Sequence, residues 1–119
     1  MYSKRDRKYL NLACRLAEQS SANKRHGCVI VKGGRVISTA YNAYINKPHF
    51  VSPEHMDRCS VHAEVAALRK VKGSTKGATI YVARLNNRGE ERYSAPCEDC
   101  SSVLDERGIR KVVYTVWTQ

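Results

Sequence analysis

The 119-residue chain is expected to fold as an α/β domain, and three observations point there. Residues 4–20 carry apolar side chains at helical spacing, with Tyr9, Leu12, Ala13, Leu16 and Ala17 at i, i+3, i+4, i+7 and i+8. Val29-Ile30-Val31 and Arg35-Val36-Ile37 flank Gly33-Gly34, which reads as a tight β-hairpin. Beyond residue 60, helical and strand patterns alternate to the end of the sequence. Alternation of this kind is what a sheet covered by helices produces.

The first helix is expected to close at Ser20-Ser21-Ala22-Asn23. The basic residues Lys4 to Lys8 suit a nucleic-acid arm, but a solvated first turn is the commoner outcome. Cys28 to Val31 is apolar on both faces, as in a central strand buried on both sides. Cys28 is therefore read as a core residue, and His26 before it as a surface or capping residue. Residues 42–59 show no helical period and contain Pro48 and Pro53. Connections this long are uncommon in compact domains and are often functional. Tyr41, Tyr44 and Phe50, interleaved with Lys47, serve either to stack a base or to pack the loop down. Residues 61–71 read as a helix with Ser60 as N-cap and Val61, Val65 and Leu68 as its buried stripe. Residues 73–77 form a turn, 78–83 a strand and 86–94 a polar loop. Pro96 is placed at the start of a third helix, with Cys97, Cys100 and Leu104 on one face. Gly108 ends that helix, and 110–116 is the last strand.

The whole chain, 1–119, is expected to be one domain with a modest core. No stretch is long enough to cross a bilayer, so no membrane partner is expected. The start, Met1-Tyr2-Ser3-Lys4-Arg5, has no apolar run behind it, which points to the cytoplasm. Five cysteines then read as reduced thiols and not as a disulfide framework. The formal net charge is +10, from 21 Lys and Arg against 11 Asp and Glu. A basic surface favours anionic partners such as nucleotides, DNA or RNA. The basic residues are scattered, so a solvated face accounts for them as well.

The chemistry is concentrated in two short stretches, Ser60-Val61-His62-Ala63-Glu64 and Pro96-Cys97-Glu98-Asp99-Cys100. One imidazole, two thiolates at i and i+3, and one further carboxylate fit a zinc site that keeps a fourth position open. His62, Cys97 and Cys100 are the candidate metal ligands, and Glu64 is the candidate proton carrier. On an ideal helix, residues two apart point about 200° apart, so His62 and Glu64 can converge only over the open first turn. Glu98 and Asp99 are read as solvated acids that favour a helix start. His-x-Glu followed by Pro-Cys-x-x-Cys is the pattern of zinc-dependent nucleobase deaminases. On these residues the sequence resembles the cytidine/deoxycytidylate deaminase family. Gly27-Cys28-Val29-Ile30-Val31, the run Arg35 to Asn42, and Ala78-Thr79-Ile80-Tyr81-Val82 extend the resemblance over most of the chain.

The resemblance implies a three-layer α-β-α fold, with a central mixed sheet of about four to five strands and helices on both faces. It implies one catalytic zinc, and Asn42 as a contact to the substrate sugar or base. Some deoxycytidylate deaminases carry an extra metal near residues 42–59. His49, His55 and Cys59 are the donors available for such a second, structural zinc, although their spacing matches no zinc motif. Ala63 is small enough for close substrate approach, and its backbone N–H is a candidate donor to the base carbonyl. Tyr93 is either a pocket-wall residue or a solvated loop tyrosine. In the implied reaction hydroxide attacks the amine-bearing ring carbon, and Glu64 acts first as base and then as acid.

The substrate expected first is a free cytosine nucleotide such as dCMP. The same chemistry on cytosine or adenine in single-stranded DNA or RNA is the second reading, supported by the charge and the aromatic-rich connection. A non-catalytic zinc-stabilised binding module is the third; a site one protein ligand short and carrying Glu64 argues against it. A thiol redox protein built on Cys97-x-x-Cys100 is the fourth. Family members usually continue past the strand at 111–114, so a homo-oligomer in which subunits complete one another's pockets is also expected.

Overall fold

The computed structural model describes residues 2–20, 25–44, 60–61, 63–96 and 98–116. Helix α1 (Lys4–Ala17) starts at Ser3, whose Oγ accepts the Asp6 N–H at 3.0 Å and caps the first turn. The helix ends three residues earlier than the sequence suggested. Glu18 closes it with backbone bonds to Cys14 and Leu16, and Ser20 leaves it for another contact described below.

Strands β1 (Arg25–Lys32) and β2 (Arg35–Tyr41) form the expected hairpin. Gly33 and Gly34 both have positive φ, 59° and 77°, as a type I′ turn requires. The register slips between Ile30 and Val31, so one extra residue of β2 is accommodated as a bulge. Two-residue strands β3 (Ala43–Tyr44) and β4 (Ser60–Val61) pair as a separate antiparallel ribbon. The connection at 45–59 lies outside the described residues, but the ribbon brackets it and brings its two ends together. Helix α2 (Ala63–Lys70) follows. Ser60 is thus a strand residue and not the N-cap expected of it. Long-range pairing with Tyr44 competes for its backbone and pushes the helix start to Ala63.

Strand β5 (Thr79–Leu85) runs antiparallel to β1. The stretch read as a polar loop contains a short strand, β6 (Glu91–Arg92), paired to Arg84 and Leu85. Helix α3 (Glu98–Glu106) begins two residues after Pro96. Gly108, at φ 75°, turns the chain out of it into β7 (Lys111–Tyr114), which is parallel to β5. The result is a mixed five-stranded sheet in the order β2-β1-β5, with β7 and β6 sharing the far edge of β5.

Alternation along the central strands divides the core in two. Val29, Val31, Tyr81 and Ala83 face α1, packing with Tyr9, Leu10 and Ala13. Cys28, Ile30, Ile80 and Val82 face α2 and α3, packing with Ala63, Ala67, Leu68 and Leu104. Helices therefore cover both faces, as expected. Two details of the stripes differ. Leu10 is fully buried while Leu12 and Leu16 sit on the flank, because the helix approaches the sheet along Ala13 and Ala17 over Gly27. In α2 the inward residues are Ala63, Glu64, Ala67 and Leu68, and Val65 is only partly covered.

β6 and β7 are locked together by side chains. The Thr115 hydroxyl donates to the Arg92 carbonyl at 2.6 Å and accepts the Arg84 N–H at 3.0 Å. Ser94 Oγ lies 2.8 Å from the same hydroxyl and donates to the Val82 carbonyl at 2.8 Å. Both residues are buried. Thr115→Val keeps the shape but strands these partners. It is expected to cost about 1–3 kcal/mol of stability in urea unfolding, the usual penalty for unpaired buried polar groups.

Candidate active site

Both α2 and α3 end beside the start of β5. Thr75 Oγ1 donates to the Arg107 carbonyl, the Gly77 N–H to Gly108, and the Ala78 N–H to Thr75. The two helices therefore begin toward the opposite end, where β5 finishes and β2 runs into β3. The ribbon reinforces this. Ala43 pairs with Val61, so Asn42 and Ala63 lie just beyond the same end of it. The topology thus gathers Asn42, the first turn of α2 and the first turn of α3 at one end of the sheet.

Glu64 stands in the first turn of α2 and is only 5% exposed. A carboxylate buried at a helix N-terminus gains from the helix dipole what it loses in hydration. Cys100, in the first turn of α3, is also buried. Cys28 on β1 has no exposed surface. Burial pushes the Cys28 thiol well above its ordinary value, and the nearby Glu64 and Cys100 raise it further. Cys28 stays a neutral core thiol, as expected of it.

Asn42 is buried, and its side-chain orientation is fixed from one side. Its Oδ1 accepts from the His26 N–H at 2.9 Å and from Ser20 Oγ at 2.6 Å. Ser20 Oγ also reaches the Asn42 carbonyl at 2.9 Å, and the Asn42 N–H donates to the His26 carbonyl. Ala63, at the first position of α2, is fully buried. Tyr93 is half exposed and meets Tyr114 edge-on, with ring centroids 5.6 Å apart. Tyr114 packs on the α2 and α3 side of the core, so Tyr93 stands at the rim of that face.

His62 and Cys97 lie outside the described residues, as do His49, His55 and Cys59. Among the described residues no group of three or more His, Cys, Asp or Glu could hold a metal. The described part of the set suits zinc nonetheless. Cys100 offers a soft donor at a helix N-terminus, where thiolate is favoured, with the buried Glu64 carboxylate nearby.

Sequence reading missed one feature of this end of the sheet. His26 pairs with Arg84 across β1 and β5, and Arg84 pairs with Arg92 across β5 and β6. Directly paired residues point to the same face. Arg84 follows Ile80 and Val82 in the alternation, so the row faces α2 and α3. Glu91 beside it faces the other way, where Arg7 of α1 grips it with both terminal guanidinium nitrogens. No local pattern marks such a row, because only the register assembles residues 26, 84 and 92.

Among the described residues no helix is long and apolar enough to cross a membrane. A family model described as the cytidine and deoxycytidylate deaminase zinc-binding region matches residues 3–116. The Escherichia coli riboflavin biosynthesis protein RibD is 32% identical over 115 residues, which cover 93% of this chain and 27% of that protein. The chain therefore spans about a quarter of the RibD proteins it matches. Deoxycytidylate deaminase of Enterobacteria phage T2 is 26% identical over 144 residues, covering 82% of this chain and 71% of that one. The apo structure of dCMP deaminase from the cyanophage S-TIM5 shares the fold, with a TM-score of 0.72 at 23% identity over 96% of this chain and 84% of that chain.

Proposed function

Because the chain belongs to the cytidine and deoxycytidylate deaminase family, we propose that it hydrolytically deaminates the cytosine base of a free nucleotide, dCMP first, releasing the uracil product and ammonia. The observation that carries this is Glu64, a buried carboxylate in the first turn of α2. A carboxylate in that position suits proton transfer better than surface solubility. Names among the relatives agree with the choice of ring. Deoxycytidylate and a phosphoribosylaminopyrimidine are both phosphorylated pyrimidine compounds bearing an amine.

His62, Cys97 and Cys100 would hold a zinc ion. When bound, zinc lowers the pKa of a water molecule so that hydroxide is available near neutral pH. Glu64 takes the proton released by that water and passes it to the ring nitrogen, which makes the amine-bearing carbon electrophilic. It later takes the proton of the newly added hydroxyl and delivers it to the departing amine, leaving the ring carbonyl. One carboxylate serves both steps because they occur in sequence. Asn42, held through its Oδ1 at this end of the sheet, is the contact to the sugar or base. The Ala63 N–H at the open end of α2 faces no side-chain bulk of its own and suits the base carbonyl. Tyr93 at the rim closes over the ring.

Metal removal tests the ligand set. Chelation is expected to abolish deamination and added zinc to restore it, with one zinc per chain by elemental analysis. A second equivalent would assign the second ion to His49, His55 and Cys59. The substrate is tested by offering dCMP, CMP, deoxycytidine and a cytosine-containing single-stranded oligonucleotide together. Uracil in the nucleotide pool is the expected result. The net charge of +10 favours a second reading, deamination within single-stranded nucleic acid. Uracil in the oligonucleotide, lost steeply as salt rises, would establish that reading instead.

A further inference from the structure

We infer that Arg84, flanked by His26 and Arg92, binds the phosphate monoester of the nucleotide substrate. This rests on the deaminase reading above and adds the group by which the substrate is recognised. The row runs directly across three strands, His26 opposite Arg84 and Arg84 opposite Arg92. Like charges directly opposite each other destabilise a sheet unless something compensates them. Arg92 is compensated in part, by the Glu91 carbonyl at 3.0 Å and the Glu90 carboxylate at 3.5 Å. Arg84 is not. Its Nε is buried and has no hydrogen-bond partner, and no carboxylate pairs with it among the described residues. An unsatisfied buried guanidinium nitrogen is costly, and phosphate is the acceptor whose geometry matches it best.

The position fits a nucleotide. Cys28 and Val82 are paired on the same face, two residues from the Arg84 row, and pack with Ala63 of α2 and Leu104 of α3. Two strand residues span about 7 Å, so the row lies one short step from the reacting centre. A phosphate one sugar away from the ring reaches that distance. Asn42, bonded to the His26 backbone, continues the row on its other side, where the sugar would pass.

The test compares kcat/KM for dCMP and deoxycytidine in the wild type, Arg84→Gln, Arg84→Lys and Lys76→Gln. Lys76 lies at the opposite end of the sheet and serves as the control. The wild type is expected to prefer the nucleotide. Arg84→Gln should cut that preference on the order of tenfold to a hundredfold, through KM, as the loss of charge-assisted hydrogen bonds implies. Arg84→Lys should recover part of it, and Lys76→Gln should keep it whole. Arg92→Gln, on the edge strand, gives a weaker loss and stands in if Arg84→Gln melts early. An unchanged preference in Arg84→Gln overturns the inference and leaves the deaminase reading intact. If the wild type deaminates neither compound, the deaminase reading fails by itself. Calorimetric binding of dCMP and inorganic phosphate then decides the anion site: binding lost in Arg84→Gln supports it, and equal or absent binding overturns it. Displacement of bound phosphate by an oligonucleotide and not by dCMP also overturns it.

Discussion

Glu64→Gln is expected to lower kcat on the order of a thousandfold or more while zinc content and melting temperature hold. The substitution keeps size and hydrogen-bonding capacity but cannot accept or release a proton near neutral pH. General acid–base catalysis contributes about 10²–10⁴-fold, and Glu64 is asked to act in both directions within one turnover. Its setting explains why nothing nearby replaces it. The side chain is 5% exposed, so bulk water reaches it poorly. The Cys28 thiol is held in the neutral form by burial and by Glu64 itself. KM should change little, since substrate contacts are assigned to Asn42, Ala63 and Arg84. Steady-state kinetics with metal analysis on the same samples checks this. A variant retaining a tenth of the wild-type rate would remove Glu64 from the chemistry.

Gly27→Ala is expected to be the most damaging change in the core. A Cβ on Gly27 would lie 1.9 Å from the Ala13 carbonyl oxygen and 2.6 Å from the Ala17 nitrogen. Both are backbone atoms of α1, so no side-chain rotation relieves the clash. Helix and sheet must separate, opening the layer formed by Tyr9, Leu10, Ala13, Val29 and Tyr81. Overpacking typically costs 1–3 kcal/mol, and a rigid backbone obstacle belongs at or beyond the upper end, so about 3 kcal/mol or more is expected. Chemical denaturation reads it directly. The damage should also reach the active site, because Gly27 is followed by Cys28 and preceded by His26, whose N–H holds Asn42. A fully stable Gly27→Ala protein would mean that α1 does not press on β1 as described.

The parts of the fold readable in the sequence are those set by local pattern. Gly33-Gly34 fixed the hairpin because two positive φ angles in succession need glycine. The doubly apolar run at Cys28 to Val31 announced a central strand because both faces of β1 are covered. The short strands escaped for the opposite reason. Two residues carry no periodicity, and β3, β4 and β6 exist only through partners found elsewhere in the chain. Ser60 is a strand residue and not a cap for the same cause.

The site divides along similar lines. His62, Glu64, Cys97 and Cys100 stand out by residue type and spacing, since metal chemistry restricts both. Of these, Glu64 and Cys100 fall among the described residues, both buried in the first turns of α2 and α3. Arg84 gave no such signal. It is one of 21 basic residues, and only the strand register shows that it alone lies between His26 and Arg92 with a buried, unpartnered nitrogen.

The central claim is hydrolysis at an amine-bearing pyrimidine carbon. The most direct test is turnover of dCMP by the zinc-loaded protein in ¹⁸O-labelled water, with ammonia and product mass followed together. Equal amounts of ammonia and uracil nucleotide are expected, with a single ¹⁸O in the new ring carbonyl. Product without the label, or zinc-replete protein that releases no ammonia from any cytosine substrate offered, would contradict it.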